Sequence, residues 1–264
     1  MTEQTFQLWE NVPGMCEEVP QITAYVPKYK QTKGAVVILP GGGYSHRSPN
    51  EGEKYACFLA DHGVTAFVCD YRVEPHYFPL PLLDARRAMQ FVRYHAEEYG
   101  LDRNKIYIMG SSAGGHLAAL TSTYLKTIPI ENPDAIDEED FLPDGQILCY
   151  PVIQLTGNGI AHFGSGRSLL GADLAEYGEE LSPNLIAGEG TPKAFIWHTF
   201  ADNCVNVKNS LLYAERLKEV HTETELHIFP RGNHGMGLAE ELPHVAQWSK
   251  LLLKWLDYNG FFAG

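Results

Sequence analysis

The stretch "KIYIMGSSAGGHLAAL", Lys105 to Leu120, passes from an apolar β-type run into a helical pattern through a glycine-flanked pair of serines. Its register decides the reading. Aligned on G-x-S-x-G, Gly110 and Gly114 flank Ser112 symmetrically, whereas Ser111 would have Met109 and Ala113 in those places. A nucleophile at the apex of a tight strand-to-helix turn sits in strained backbone, and a Cβ at either flanking position collides with the neighbouring strand or helix. Ser112 is therefore the candidate nucleophile, with Ser111 in the variable position. The competing reading, a flexible or phosphate-binding glycine turn, lacks the GxxxxGK[ST] or GxGxxG spacing that phosphate loops need.

Similar apolar runs recur on either side. They are "AVVIL" (Ala35 to Leu39), "VTAFVC" (Val64 to Cys69), "QILCY" (Gln146 to Tyr150), "KAFIW" (Lys193 to Trp197) and "ELHIF" (Glu225 to Phe229). Because they are apolar nearly throughout rather than alternating, they read as strands covered on both faces. Helical spacing appears between and after them, at Ala85, Ala88, Met89 and Val92, at Leu211, Ala214 and Leu217, and at Val245, Trp248, Leu252, Trp255 and Leu256. The alternation predicts an α/β fold, a mostly parallel sheet between helical layers. Two stretches break the rhythm. Glu131 to Asp144, acidic with two prolines, reads as an exposed excursion offering a solvated face. Gln154 to Thr191, rich in glycine, reads as an insertion, either a partly ordered loop or a small cap that selects substrate.

The chain has 264 residues, enough for one sizeable core, so a single domain over 1–264 is expected. A formal net charge of -13 without a Lys/Arg cluster argues against nucleic acid and anionic lipid, and favours a neutral or weakly charged small molecule as partner. No secretory signal or membrane-length apolar run is present, so a cytoplasmic protein is expected, with no membrane partner. Five cysteines (Cys16, Cys57, Cys69, Cys149, Cys204) without CxxC spacing read as reduced, mostly buried thiols, and no HExxH pair suggests zinc. The oligomeric state is not legible; a homodimer is one option.

A serine nucleophile needs hydrogen-bond donors aimed at the developing oxyanion. The backbone N–H of Ala113 follows the nucleophile, and "AVVILPGGGYSH" places Gly41, Gly42 and Gly43 directly after a buried strand, where they can turn their N–H groups toward the site. A hairpin or linker is the alternative for such a triplet.

With "LPGGGY" upstream, "CDYRVEP" between and "GSSAGG" after, the chain resembles the α/β hydrolase superfamily, within it the esterase/lipase group related to hormone-sensitive lipase. Where those enzymes usually carry HGGG, this chain has Pro40 before its glycines, which resembles the acetyl xylan esterase and feruloyl esterase-like branch. The resemblance runs from about Gly34 to the C-terminal helical pattern. It implies an α/β hydrolase fold, a Ser-His-Asp mechanism and no cofactor.

In that fold the triad follows the order Ser, Asp or Glu, His, with the last two on loops after late strands. "KAFIWHTFADNCVNVKNS" (Lys193 to Ser210) offers Asp202, and its WHTxxD pattern is similar to the family's acid motif; a turn or capping aspartate is the alternative. "ELHIFPRGNHGMGL" (Glu225 to Leu238) offers His234 between Gly232 and Gly235. His116, on the helix after the elbow, reads as packed there, and His198 as the end of a strand. Arg72, in the family-like "DYR", reads as a structural ion pair. The expected oxyanion donors are Gly42, Gly43 and Ala113, and the candidate pocket residues are Tyr44, His46, Phe163, Phe200 and Met236. The expected activity is hydrolysis of short acyl esters, deacetylation of small sugars such as xylo-oligosaccharides by resemblance. Alternatives are an aryl formamidase or peptidase on the same triad, and a non-catalytic binding protein on the same scaffold.

Overall fold

The computed structural model describes residues 1–14, 17–157 and 159–262. The chain begins with two strands, β1 (Thr2–Gln7) and β2 (Gln21–Val26), and then alternates: β3 (Ala35–Leu39), α1 (Glu53–Asp61), β4 (Thr65–Asp70), α2 (Leu80–Tyr94), β5 (Ile106–Ser111) and α3 (Ser112–Thr123). After β6 (Gly145–Cys149) come three short helices, α4 (Phe163–Leu170), α5 (Leu174–Tyr177) and α6 (Pro183–Ile186). The last part is β7 (Ala194–Thr199), α7 (Lys208–Glu219), β8 (Thr224–Phe229) and α8 (Gln247–Tyr258). Among the described residues eight strands form one sheet in the order β1-β2-β4-β3-β5-β6-β7-β8. The β1/β2 and β2/β4 pairs are antiparallel and the rest parallel.

The two faces of the sheet explain the unbroken apolar runs. Val37, Leu39, Ile108 and Leu148 face a core shared with α2, α3 and α7, while Val36, Ile38, Met109 and Ile147 face a second core closed by α1 and α8. The central strands β3, β5 and β6 thus present apolar residues to both faces of the sheet. On the second face Trp197 stacks on Trp248 with ring centroids 4.9 Å apart, which anchors α8 to β7.

The six strands expected from the sequence correspond to β3 to β8, with ends shifted by a residue or two. The expectation did not include β1, whose polar and mostly exposed "TEQTFQ" offers no apolar run, or β2. Both gain their place by pairing in an antiparallel ribbon on the edge next to β4, a long-range choice that local pattern does not announce.

The acidic stretch 131–144 is a correction. Rather than only offering a solvated face, it is clamped to α2: the buried Arg87 pairs with Asp134 and Asp137, and Arg93 with Asp144 at 3.1 Å. Gln90 Nε2 donates to the Asp137 and Glu139 carbonyls. The acids match a row of buried cations one helix away, which net charge alone does not reveal. The segment 154–191 also packs inward, with Leu155, Leu169, Leu170 and Leu181 buried against the α3 side of the sheet.

Candidate active site

Parallel strands that share one direction bring their carboxyl ends together, and the loops that leave β3, β5, β7 and β8 therefore meet at one edge. The β3–β5 register sets Leu39 beside Gly110, so the glycine loop starts next to the Ser112 turn. Ser112 holds φ of 52°, in the left-handed region that non-glycine residues rarely adopt. The turn is this tight because the chain reverses into α3 within two residues. A Cβ on Gly110 would strike the Gly114 carbonyl, and one on Gly114 the Leu39 and Pro40 carbonyls, so both flanking positions exclude a side chain.

Ser112 Oγ lies 2.8 Å from His234 Nε2, and His234 Nδ1 lies 2.7 Å from Asp202 Oδ2. The carboxylate can only accept, so Nδ1 carries the proton and Nε2 is free to accept from the serine hydroxyl. Asp202 is held by more than the histidine. Its Oδ1 accepts the N–H groups of Cys204 and Val205 at 2.9 and 2.8 Å, and its Oδ2 faces His198 Nε2 at 3.2 Å. Burial opposes its ionisation, but the hydrogen bonds from His198 and His234, the His234 charge and the Cys204 N–H prevail and hold its pKa well below the carboxylate range.

Gly42 (φ 131°) and Gly43 (φ 66°) line the cleft over Ser112, and Ala113 sits at the first turn of α3. The Gly41 N–H is turned the other way, to Glu51 Oε2 at 3.0 Å.

A cleft of about 340 Å³ opens above the serine, lined by Gly42, Gly43, Ser45, His46, Ser48, Glu51, Ser112, His162, Cys204, His234 and Gly235. A larger hollow of about 440 Å³ lies beside it, around Lys54, Asn233, Met236 and Glu240, and Ser112 is not among its lining residues. Of the five pocket candidates, His46 alone lines the cleft. Tyr44 is a correction: fully buried, it donates its hydroxyl proton to His116 Nδ1 at 2.7 Å beneath the loop. Phe200 lines an adjoining hollow with Asp202, Asn203 and Cys204, Met236 lines the larger one, and Phe163 stands exposed at the start of α4.

A match to the family model BD-FAE extends over residues 22–217. This chain belongs to the BD-FAE family. It is 36% identical over 230 residues to endo-1,4-beta-xylanase B of Butyrivibrio fibrisolvens, an alignment covering 84% of this chain and 35% of that protein. It is 29% identical over 242 residues to the acetylxylan esterase of Xylanibacter ruminicola, covering 89% of this chain and 48% of that one. The chain thus spans between a third and a half of the length of these relatives. A solved structure, the acetyl ester-xyloside bifunctional hydrolase from Caldicellulosiruptor lactoaceticus, superposes with TM-score 0.91 at 40% identity, covering 98% of this chain and 97% of that one. The sheet is that of an α/β hydrolase.

In this BD-FAE chain several residues reach the site that sequence reading passed over. His198, set aside as a strand end, donates Nε2–H toward Asp202 and the Val205 carbonyl while Nδ1 accepts from Ser210 Oγ at 2.8 Å. Its only signal was its spacing, four residues before the acid. His162 and Cys204, 3.6 Å apart, close one wall of the cleft, and burial lowers the pKa of His162. Cys204 is exposed, contrary to the expectation of mostly buried thiols; Cys69 and Cys149 are buried, Cys57 is half-buried, and Cys16 lies outside the described residues. Glu51 at the cleft and Tyr150 against the His234 ring carried no local signal.

Other sequence readings concern the frame. Arg72 and Asp84 form a fully buried pair at 2.8 Å, with Trp9 Nε1 donating to the same carboxylate oxygen. Neither lines the cleft. His116 is buried between Tyr44 and the Leu181 carbonyl, which accepts its Nε2–H at 2.8 Å. Among the described residues no three or more His, Cys, Asp or Glu are gathered as a metal site would need, and no helix is long and apolar enough to cross a membrane.

Proposed function

We propose that this chain is a serine carboxylic ester hydrolase that removes short acyl groups, acetyl above all, from small acetylated sugars such as xylo-oligosaccharides. One observation carries the reading: a continuous hydrogen-bonded path from Ser112 Oγ through His234 to Asp202, 2.8 and 2.7 Å long, that opens into a small cleft. His234 Nε2 takes the serine proton as Oγ attacks the ester carbonyl, and the N–H groups of Gly42, Gly43 and Ala113 receive the oxyanion. Asp202 orients the imidazole and stabilises its cation. The proton then passes to the leaving sugar oxygen, and water repeats the cycle on the acyl-serine to release the carboxylate.

The cleft supports the substrate class. Ser45, His46, Ser48 and His162 bring hydroxyl and imidazole groups to the cleft, donors and acceptors suited to sugar hydroxyls. The names of the relatives, an acetylxylan esterase and an acetyl ester-xyloside hydrolase, agree with it. No feature of the cleft favours a formamidase or a peptidase. Residues 154–191 belong to the same single domain in this reading and select substrate through His162.

The test is acetate release from acetylated xylobiose and a series of p-nitrophenyl esters of growing chain length. Turnover that is highest for acetyl and lost in Ser112→Ala is expected. Wild-type protein that cleaves none of these esters, or Ser112→Ala protein as active as the parent, sinks the proposal.

A further inference from the structure

Behind the cleft, two loops that must work together end on the same buried pair of side chains. Glu51 is 3% exposed and closes the short 3-10 turn Pro49–Glu51 that follows the glycine loop. Its Oε2 accepts the Gly41 N–H at 3.0 Å and its Oε1 accepts the Tyr150 O–H at 2.7 Å. Tyr150 leaves β6 with φ of 37°. Its hydroxyl oxygen accepts the Gly237 N–H at 2.9 Å, and its ring packs edge-on against the His234 imidazole with centroids 5.0 Å apart. Tyr55 extends the network, its hydroxyl 3.2 Å from that of Tyr150 and 3.1 Å from Ser111 Oγ at the nucleophile turn. A methyl placed on Gly41 would touch both Glu51 Oε2 and Ser112 Cβ, so the carboxylate stands against the nucleophile turn as well.

The amides so held lie at telling positions. Gly41 immediately precedes the donors Gly42 and Gly43, and Gly237 follows His234 by three residues. Loops at the end of a sheet are otherwise the least constrained part of a domain, whereas the transition state needs the oxyanion donors and the imidazole at a fixed separation. We propose that Glu51 and Tyr150 are positioning residues that lock the oxyanion loop to the histidine loop. The inference rests on the reading of Ser112 as the nucleophile. A buried carboxylate is costly unless hydrogen-bonded, and a short charge-assisted bond to a phenol, itself held by a backbone amide, is a rigid linkage that no apolar contact supplies. The titratable groups around Glu51 are His46, Tyr55, Tyr71, Cys149, Tyr150 and His234. Burial raises the pKa of both tyrosine hydroxyls in the network and of Cys149, so these stay neutral. Burial also raises that of Glu51, against the opposing effects of the Tyr150 hydroxyl, the His234 charge and the Gly41 N–H.

The experiment measures p-nitrophenyl acetate hydrolysis by wild type, Ser112→Ala, Glu51→Gln, Tyr150→Phe and the double variant, with active sites counted by fluorophosphonate titration in every protein that keeps Ser112 and the folding of Ser112→Ala checked by circular dichroism. Each single variant is expected to lose about 10- to 100-fold in kcat with KM within about threefold. The double variant should fall no further than the worse single one, because both changes cut the same linkage. A merely structural role would lower the melting temperature and leave kcat per titrated active site near that of wild type. Single variants within threefold of wild-type kcat, or losses that simply add, overturn the inference while the esterase stands. If neither variant folds, hydrogen exchange on the wild type decides: both the Gly41 and Gly237 amides should exchange as slowly as those of β5, and fast exchange of either overturns it. A wild type without Ser112-dependent hydrolysis removes the underlying reading and this one with it.

Discussion

His198 places Nε2 3.2 Å from Asp202 Oδ2, the same oxygen that accepts the His234 Nδ1–H at 2.7 Å. One acid thus serves two imidazoles, one facing the cleft and one fully buried behind it. Since Nε2 of His198 also faces the Val205 carbonyl, it must donate, and Asp202 receives four hydrogen bonds in all. Replacing His198 by Ala removes one of them and strands the Val205 carbonyl. The expected result is a loss of about 1–3 kcal/mol in urea unfolding, with kcat/KM reduced by no more than about tenfold. Asp202→Asn, by contrast, should cost about 10³- to 10⁴-fold in kcat with the fold intact, because the wrong imidazole tautomer faces Ser112. Equal effects of the two substitutions on kcat would contradict this division of roles.

Gly114→Ala should be far more harmful than an ordinary glycine substitution in a helix. The added methyl meets the Leu39 and Pro40 carbonyls, which are backbone and cannot swing aside. A destabilisation above about 4 kcal/mol, or failure to accumulate as soluble protein, is expected. Thermal unfolding close to that of wild type would mean that the elbow is looser than the structure indicates.

The Arg72–Asp84 pair tests the frame beneath the site. Both side chains are fully buried, and Arg72 Nε and its own backbone N–H donate to Asp84 Oδ2. Arg72→Met leaves a buried carboxylate without its cation and should cost about 3–5 kcal/mol, whereas the Arg72→Met/Asp84→Leu double variant should regain much of that loss. Denaturant titration of the three proteins gives the comparison, and kcat per folded molecule should stay near that of wild type throughout.

His116 predicts a pH dependence. Burial lowers its pKa to about 4, and the acceptor at Leu181 opposes that shift. The folded protein therefore keeps this imidazole neutral while the unfolded chain protonates near 6.5. Between those values the unfolded state binds more protons, so stability is full above the unfolded pKa and falls as the pH drops toward about 4. The expected loss attributable to this group between pH 7.5 and 5 is about 2 kcal/mol. His116→Gln should have a visibly flatter profile across that range in urea titrations; an unchanged slope would assign the acid sensitivity to other groups.

The local chain was sufficient for much of this molecule. Short runs apolar in both phases and rich in β-branched residues, such as "AVVIL", read as strands covered on both sides, and Gly110 and Gly114 admit one register for the elbow, so the parallel sheet and the Ser112 turn were legible without coordinates. Asp202 and His234 were legible as loop residues after late strands, because strand order and chain order agree there. Other features depended on which residues fold into proximity. β1 is polar and exists as a strand through its pairing with β2; the acids of 131–144 meet Arg87 and Arg93 through the docking of α2; Tyr44 is buried by contact with His116 on α3. The link from Gly41 through Glu51 and Tyr150 to Gly237 joins positions spread over almost two hundred residues of chain. Periodicity reports on a residue's immediate neighbours in sequence, whereas a hydrogen bond between loops is created only when the sheet closes, and it was the tertiary structure that decided those contacts.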